Sequence, residues 1–529
     1  MLIGEIARRN AEYFGDSDAL IVPGARTSTW SDVDDRSTRS ANALVELGLQ
    51  KSDRLAIFST NRAEYIELFF ATAKSGIIGA ATNVRLSTTE VAGYLGYVEP
   101  RAIVVSADQA EAARRFLSVV PSIEFVIGVG DDHGFPLDYE ELVTAGSSSP
   151  PRAELDDTDV YQLGATSGTT GVPKGAMLTH RNAIAAMLNW MAEMPIGDGD
   201  TNLQCIPMFF NPGGPAQLHP VMMKGGRSII HAGFDPAQFI AAVAEFGVTH
   251  TTAVPTMISM VLDHPDAPTH DFTSLKAVVT GGSPVPPELF RRARETFGSA
   301  VFRPFFGMAE TYSCGLALRP EHLDGADAPA LRRRLASAGK PHPLMQARIL
   351  ADDASEVPAD GETPGELELR GDTVSPGYFR MGSETSASRH DGWFKSGDIA
   401  VKSPDGFISI VDRKKDVIIT GGINVFSSEV ENALMEHPAV ARCAAIGVPH
   451  PRWGEAIHVV VVKHPAAEEP SSESLMEFAA SMLSSYKKPR SIEFVAELPV
   501  GGTGKVLKRE LREQHASQNG IVKRPWSRS

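Results

Sequence analysis

Apolar positions along this 529-residue chain switch repeatedly between a helical period and the short unbroken runs of buried strands. Ala41, Leu44 and Val45 mark one amphipathic helix, with Gly48 as its stop signal. Ile184, Met187, Leu188 and Met191 mark another. Between such stretches stand Arg54-Leu55-Ala56-Ile57-Phe58, Ala102-Ile103-Val104-Val105 and the buried run Ile457–Val462. This alternation predicts α/β layers. The stretch Gly146–Pro151 reads as a surface linker inside that region, and no internal repeat is visible.

The texture changes near Asp412. Asp412-Arg413-Lys414-Lys415-Asp416 is a charged cluster between the apolar strands Ile408–Val411 and Val417–Ile419. Beyond it come a helix carrying Val430, Ala433 and Leu434, strands around Ala444–Ile446 and Ile457–Val462, and a helix carrying Leu475, Phe478, Ala479, Met482 and Leu483. The sequence thus predicts domains 1–412 and 413–529, the second a small mobile α+β unit whose ordered part ends near residue 515. Its polar, basic tail from Ala516 is expected to be disordered.

Composition narrows the function. The chain is 42% hydrophobic and 22% charged, as in ordinary globular proteins. A net charge of -15 argues against nucleic-acid or anionic-membrane surfaces. No apolar run reaches spanning length and the N-terminus lacks the order of a signal peptide, so a cytoplasmic setting is expected. Cys205, Cys314 and Cys443 lie far apart and read as small core residues. The histidines show no tight ligand spacing, and His264 and His270 read as loop residues.

The densest chemistry is Thr166-Ser167-Gly168-Thr169-Thr170-Gly171-Val172-Pro173-Lys174-Gly175. Its glycines admit close backbone approach to an anion, its hydroxyls donate, and Lys174 adds positive charge. It is not the P-loop of ATPases, because glycine instead of Ser/Thr follows the lysine. Strand-like flanks, Val160–Leu163 and Ala176–Leu178, make it a tight connection between strands. Four weaker segments accompany it. Phe306–Thr311 sets Glu310 beside Thr311 after a strand and turn, and Trp393–Asp398 presents an acid on a turn. The charged cluster offers Arg413, and Pro499–Lys505 carries a lysine on a second glycine-rich loop.

In this order, the five segments resemble the adenylate-forming superfamily of acyl- and aryl-CoA synthetases, carrier-protein adenylation domains and firefly-type luciferases. The resemblance runs from Thr29-Trp30-Ser31-Asp32 to Arg509. It implies a large N-terminal domain of layered β-sheets and helices. It also implies ATP-dependent activation of a carboxylic acid to an acyl-adenylate, then transfer to coenzyme A by an AMP-forming acid–thiol ligase needing Mg²⁺. Carried over residue by residue, it assigns Thr166, Ser167, Gly168, Thr169, Thr170 and Lys174 to the phosphates. Glu310 is implied to hold the metal, and Thr311 to donate to the α-phosphate. Asp398 and Arg413 are assigned to the ribose, Gly281, Gly282, Ser283 and Pro284 to the wall around adenine and the acyl entry, and Phe306 and Gly307 to ATP or AMP binding. Lys505 becomes the catalytic lysine of adenylation and Lys415 the hinge. Gly421, Gly422 and Trp453 resemble the CoA-contacting elements.

The acyl pocket departs from the family pattern. Phe210 stands where a histidine is common, so the gate beside the acyl carboxylate must work sterically. With Asn211, Gly213, Gly214, Val254 and Met308, and with Pro255, Thr256 and Phe305 as further candidates, the set suits an uncharged chain or ring. No basic group among them matches a second carboxylate. Fatty, aryl and alicyclic acids are not separated. A stand-alone enzyme loading an acyl-carrier protein, an oxygen-using luciferase-like enzyme and a non-enzymatic nucleotide binder stay open as alternatives, as does a homodimer.

Overall fold

Hydroxyl caps fix where several helices begin. Thr29 and Ser87 each accept from the backbone three residues on, while Asp32 and Glu90 reach back to the cap amides, so helices Trp30–Glu46 and Thr88–Val98 start at defined points. Thr179 and Asn182 close the same box on helix His180–Glu193. The structure, a computed structural model, describes residues 1–166, 174–210, 220–299, 301–324, 326, 328–465, 470–500 and 506–518. The chain forms two compact units, one of Met1–Ala347 with Leu369–Phe394, the other of Arg348–Glu368 with Lys395–Ser529.

The larger unit contains two sheets. One runs, among the described residues, in the order Leu137–Asp138, Phe125–Val129, Ala102–Ser106, Arg54–Phe58, Ile78–Ala81, Val160–Thr166 and Lys174–Thr179. It is parallel except for its last pair, the antiparallel hairpin of Val160–Thr166 with Lys174–Thr179. Ile57, Ile103 and Val104 are fully buried, which explains why these strands read as unbroken apolar runs. The second sheet holds Phe302–Phe306, Ala277–Gly281, His250–Thr252, Thr201–Gln204, Arg227–Ile230 and Asp18–Val22 as successive parallel neighbours. Short antiparallel strands flank it at both edges.

In the smaller unit, Gly454–Lys463 is the central strand. It pairs antiparallel with Val440–His450 and with Ile418–Thr420, and parallel with Ser491–Val495. Its side chains alternate between two cores. Ile457, Val459 and Val461 join Val430, Leu434, Leu475 and Ala479 from helices Ser427–Met435 and Ser472–Met482. Ala456 and Val460 join Leu498 and Leu511 on the opposite face, under helix Lys508–Gln518. Each fully buried Ile, Leu or Val contributes roughly 1.5–3 kcal/mol.

Several expectations need correcting. Helix His180–Glu193 buries Ala183, Ala186, Met187 and Trp190, while Leu188 is exposed. Val45 is likewise exposed, although Ala41 and Leu44 are buried. Ala516–Gln518 continue a helix rather than opening a disordered tail. Packing groups Lys395–Asp412 with the smaller unit, whereas the sequence drew the line after Asp412. The reason is the ladder between Trp393–Lys402 and Ile408–Arg413, which ties Asp398–Lys402 to the strand leading into the charged cluster. Cys205 and Cys314 are buried and Cys443 half-buried.

Candidate active site

The hairpin places Thr166 directly opposite Lys174, at the two ends of the glycine-rich connection. Ser167, Gly168, Thr169 and Thr170 lie outside the described residues. Lys174 holds its ammonium 5.0 Å from the centre of the Tyr378 ring, a cation–π arrangement. Tyr378 arrives because its segment runs along the hairpin strand. The Met177 amide donates to the Gly377 carbonyl and the Phe379 amide to the Gly175 carbonyl, both at 2.9 Å. The Tyr378 hydroxyl then donates to Glu310 Oε1 at 2.7 Å. Burial, reinforced by the Glu310 charge, raises the Tyr378 pKa far above the ordinary phenol value, so it remains a donor.

Glu310 sits in the single 3-10 turn Ala309–Thr311 that follows strand Phe302–Phe306. The turn is fixed from both sides. The Ser375 amide donates to the Glu310 carbonyl at 2.7 Å, and the buried Thr311 hydroxyl donates to the Met308 carbonyl at 3.3 Å. A Cβ on Gly307 would fall 2.3 Å from the Ser313 carbonyl carbon, so only glycine permits this fold-back. Thr166, Lys174, Glu310 and Thr311 therefore belong to one neighbourhood of the larger unit.

The remaining candidates in this unit sit just beyond the carboxyl ends of adjacent parallel strands. Thr201–Gln204 leads to Phe210, His250–Thr252 to Val254, Ala277–Gly281 to Gly282 and Ser283, and Phe302–Phe306 to Gly307 and Met308. In open α/β sheets this edge is where ligands bind. Gly281 presses its α-carbon against the neighbouring strand; a Cβ there would stand 2.4 Å from the Phe305 carbonyl oxygen. Gly282 takes a left-handed φ of 83° and turns the exposed Ser283 outward from the strand end. Phe210 is half-buried and packs edge-on against Phe209 at 4.7 Å. Asn211, Gly213 and Gly214 lie outside the described residues. Phe305 belongs to the core, wedged against Trp190 and His342, and Thr256 points to solvent from the first turn of helix Pro255–Leu262.

In the smaller unit Asp398 and Arg413 are cross-strand partners, and Arg413 Nε bonds Asp398 Oδ1 at 2.8 Å. Asp398 is buried and stands within strand Trp393–Lys402, not on the turn expected from Gly397; that glycine's φ of 72° kinks a strand that continues on both sides. Lys415 occupies the 3-10 turn Lys414–Asp416, flanked by the pairs Lys414–Glu366 at 2.9 Å and Asp416–Arg512 at 2.9 Å. The Gly421 amide donates to the Trp453 carbonyl at 2.8 Å, and Gly421 and Gly422 both have left-handed φ, so Gly421, Gly422 and Trp453 form one surface feature. Lys505 lies outside the described residues; Val500 and Val506 pair as an isolated antiparallel bridge.

Two contributors carried no readable sequence signal. Tyr378 lies in no charged or hydroxyl-rich motif. Asn61 is buried and donates to the carbonyls of Ile206 at 2.9 Å and His231 at 3.1 Å, while accepting from the Met208 amide at 2.7 Å. It pins the segment that delivers Phe210, and only its tertiary contacts reveal this.

Comparison with known proteins identifies the family. The AMP-binding enzyme model matches residues 7–379, and the AMP-binding enzyme C-terminal domain model matches residues 429–505. A feruloyl-CoA synthase of Amycolatopsis sp is 34% identical over 496 residues, covering 93% of this chain and 94% of that protein. A 3-methylmercaptopropionyl-CoA ligase of Ruegeria lacuscaerulensis is 30% identical and covers 97% of both chains. Among solved structures, ATP-bound MatB from Rhodopseudomonas palustris superposes with a TM-score of 0.84 at 26% identity, covering 97% of this chain and 99% of that one.

Proposed function

This chain belongs to the AMP-binding enzyme family, and from that premise we infer that it is an AMP-forming acid–CoA ligase. It activates a carboxylic acid with ATP, releasing pyrophosphate, and transfers the acyl group to coenzyme A, releasing AMP. A carboxylate is a poor electrophile because its charge repels nucleophiles and its oxide leaves badly. The mixed anhydride removes both obstacles. Forming it brings two anions together, so cations and donors must stand where charge collects.

The observation that carries the reading is the joint placement of Lys174 and Glu310 around Tyr378, next to the carboxyl edge of the parallel strands. Thr166 and Lys174, with the rest of their loop, hold the β- and γ-phosphates. Glu310 suits Mg²⁺, since that ion needs few carboxylates and completes its shell with phosphate oxygens and water. The ion supplies charge neutralisation for the phosphates. Gly281, Gly282, Ser283, Phe306 and Gly307 form the nucleotide wall, and Thr311 donates to the α-phosphate once its hydroxyl is released from the Met308 carbonyl. Asp398 and Arg413 take the ribose hydroxyls. Lys505 supplies a cation to the reacting carboxylate and α-phosphate during adenylation. Gly421, Gly422 and Trp453 receive the pantetheine arm.

Phe210, Val254 and Met308 favour an uncharged acid, and the Phe209–Phe210 pair favours an aromatic ring, in keeping with the feruloyl-CoA synthase relative. Incubating a panel of acids with ATP, Mg²⁺ and CoA, while following AMP and thioester, tests this. Uncharged aryl acids should give thioester at least ~10-fold faster than dicarboxylic acids, in line with about 1.4 kcal/mol of discrimination. Adenylation without CoA consumption would overturn the assignment of the thiol. Lys505→Ala should slow pyrophosphate release by about 10²–10³-fold while sparing thiolysis of supplied acyl-adenylate.

A further inference from the structure

Among the described residues, one group outside the site above has the chemistry of a transition-metal centre. His458, Glu493 and His515 each present a ligand atom, and these atoms lie within 4.8 Å of one another. Three separate elements bring them together. His458 interrupts the apolar strand Gly454–Lys463 on the face that carries Ala456 and Val460. Glu493 lies on the parallel neighbour Ser491–Val495, where Ser491 is the cross-strand partner of His458. His515 follows Leu511 by one turn on helix Lys508–Gln518, and Leu511 packs into the core that contains Ala456 and Val460.

The local geometry is that of a ligand set held in advance. His458 is 3% exposed, and its Nδ1 lies 2.7 Å from Ser491 Oγ, which orients the ring as the outer hydrogen bond of a metal-bound histidine does. Its buried Nε2 has no hydrogen-bond partner among the described residues and points toward Glu493 Oε2 at 3.5 Å. Ligands of a tetrahedral zinc ion, at bonds of about 2.0–2.1 Å, are separated by about 3.4 Å. The His458–Glu493 spacing therefore needs no adjustment. The His515 ring stands 4.3 Å from the His458 ring, centre to centre, on a half-exposed helix face.

We propose that His458, Glu493 and His515 form a binding site for a divalent transition-metal ion of the zinc class, clipping helix Lys508–Gln518 to the sheet of the smaller unit. Two imidazoles and one carboxylate suit Zn²⁺, whereas Mg²⁺ prefers oxygen alone, so this site is chemically distinct from Glu310. A water molecule completes the tetrahedron.

The test uses full-length protein stripped with chelator and titrated with Zn²⁺ alone, without nucleotide or Mg²⁺. One equivalent should bind, and Zn²⁺ should raise the melting temperature. His515→Ala should weaken binding at least ~10-fold, as loss of one ligand does, and abolish the thermal shift. Because that residue is half-exposed, the variant should keep the native circular dichroism spectrum. As a second readout, Co²⁺ should give the intense visible absorption of a tetrahedral site in the parent protein and lose it in Glu493→Gln. Equal Zn²⁺ affinity in the parent and His515→Ala, or no stoichiometric binding, would overturn the proposal.

Discussion

Tyr378 shows how much a single neutral side chain can govern two charged ones. Its ring lies under the Lys174 ammonium and its hydroxyl donates to Glu310, so one residue contacts both a cation and an anion. Tyr378→Phe keeps the ring and deletes the donor. Loss of a hydrogen bond to a charged group is worth about 1.5–3 kcal/mol, so the variant should need at least ~10-fold more Mg·ATP for half-maximal pyrophosphate release, with its fold intact. An unchanged Mg²⁺ and ATP dependence would show that Glu310 is held by other contacts. Lys174 and Glu310 were legible in the sequence because their charges stand in dense, ordered motifs. Tyr378 and Asn61 were not, because each works through partners far away in the chain. The same holds for His458, Glu493 and His515, whose separations match no ligand motif and whose meeting depends on strand pairing and helix docking.

Element by element, periodicity located helices and strands better than it located their faces. Helix His180–Glu193 was found, yet its buried stripe is Ala183, Ala186, Met187 and Trp190 at i, i+3, i+4 and i+7, and Leu188 falls off it to face solvent. Asp398 was read as a turn residue because Gly397 precedes it, but pairing with Arg413 makes it part of a ladder. The charged cluster Asp412–Asp416 was read as lying between two strands; strand Ile408–Arg413 takes in its first two residues, leaving Lys414–Asp416 as the turn. If it is the pivot between half-reactions, Lys415→Pro should act through its neighbour. Proline disfavours the helical region for the preceding residue, so Lys414 must leave the turn. Thioester formation should then fall at least ~10-fold more than adenylation, as when gating rather than chemistry is obstructed. Separate assays of pyrophosphate and thioester check this, and equal loss of both would remove the hinge role.

At the scale of the molecule, the larger unit carries histidines that must stay uncharged. His342 is fully buried, and burial pushes its pKa down from 6.5 to about 3. Burial also lowers His180 to about 4, and its Nδ1 accepts from the Ile3 amide at 3.1 Å. Both pKa values are depressed on folding, so below the unfolded value of 6.5 the unfolded chain binds more protons. Their contribution is full above pH 6.5 and is lost as pH falls, at up to about 1.4 kcal/mol per pH unit for each group. Denaturant titrations between pH 7 and 5 should show stability falling with acid, and His342→Asn should flatten that slope; a flat profile in the parent would contradict it. The layered α/β character was legible from unbroken apolar runs, whereas the grouping of Lys395–Asp412 was not, since strand pairing leaves no mark in composition. One consequence follows from the parallel strands Thr201–Gln204, His250–Thr252 and Phe302–Phe306, whose following segments carry Phe210, Val254 and Met308. The hydrogen-bonded ladder ends before those residues, so under the proposed assignment descendants of this chain could rewrite their choice of acid in the exit segments and inherit the activation chemistry unaltered.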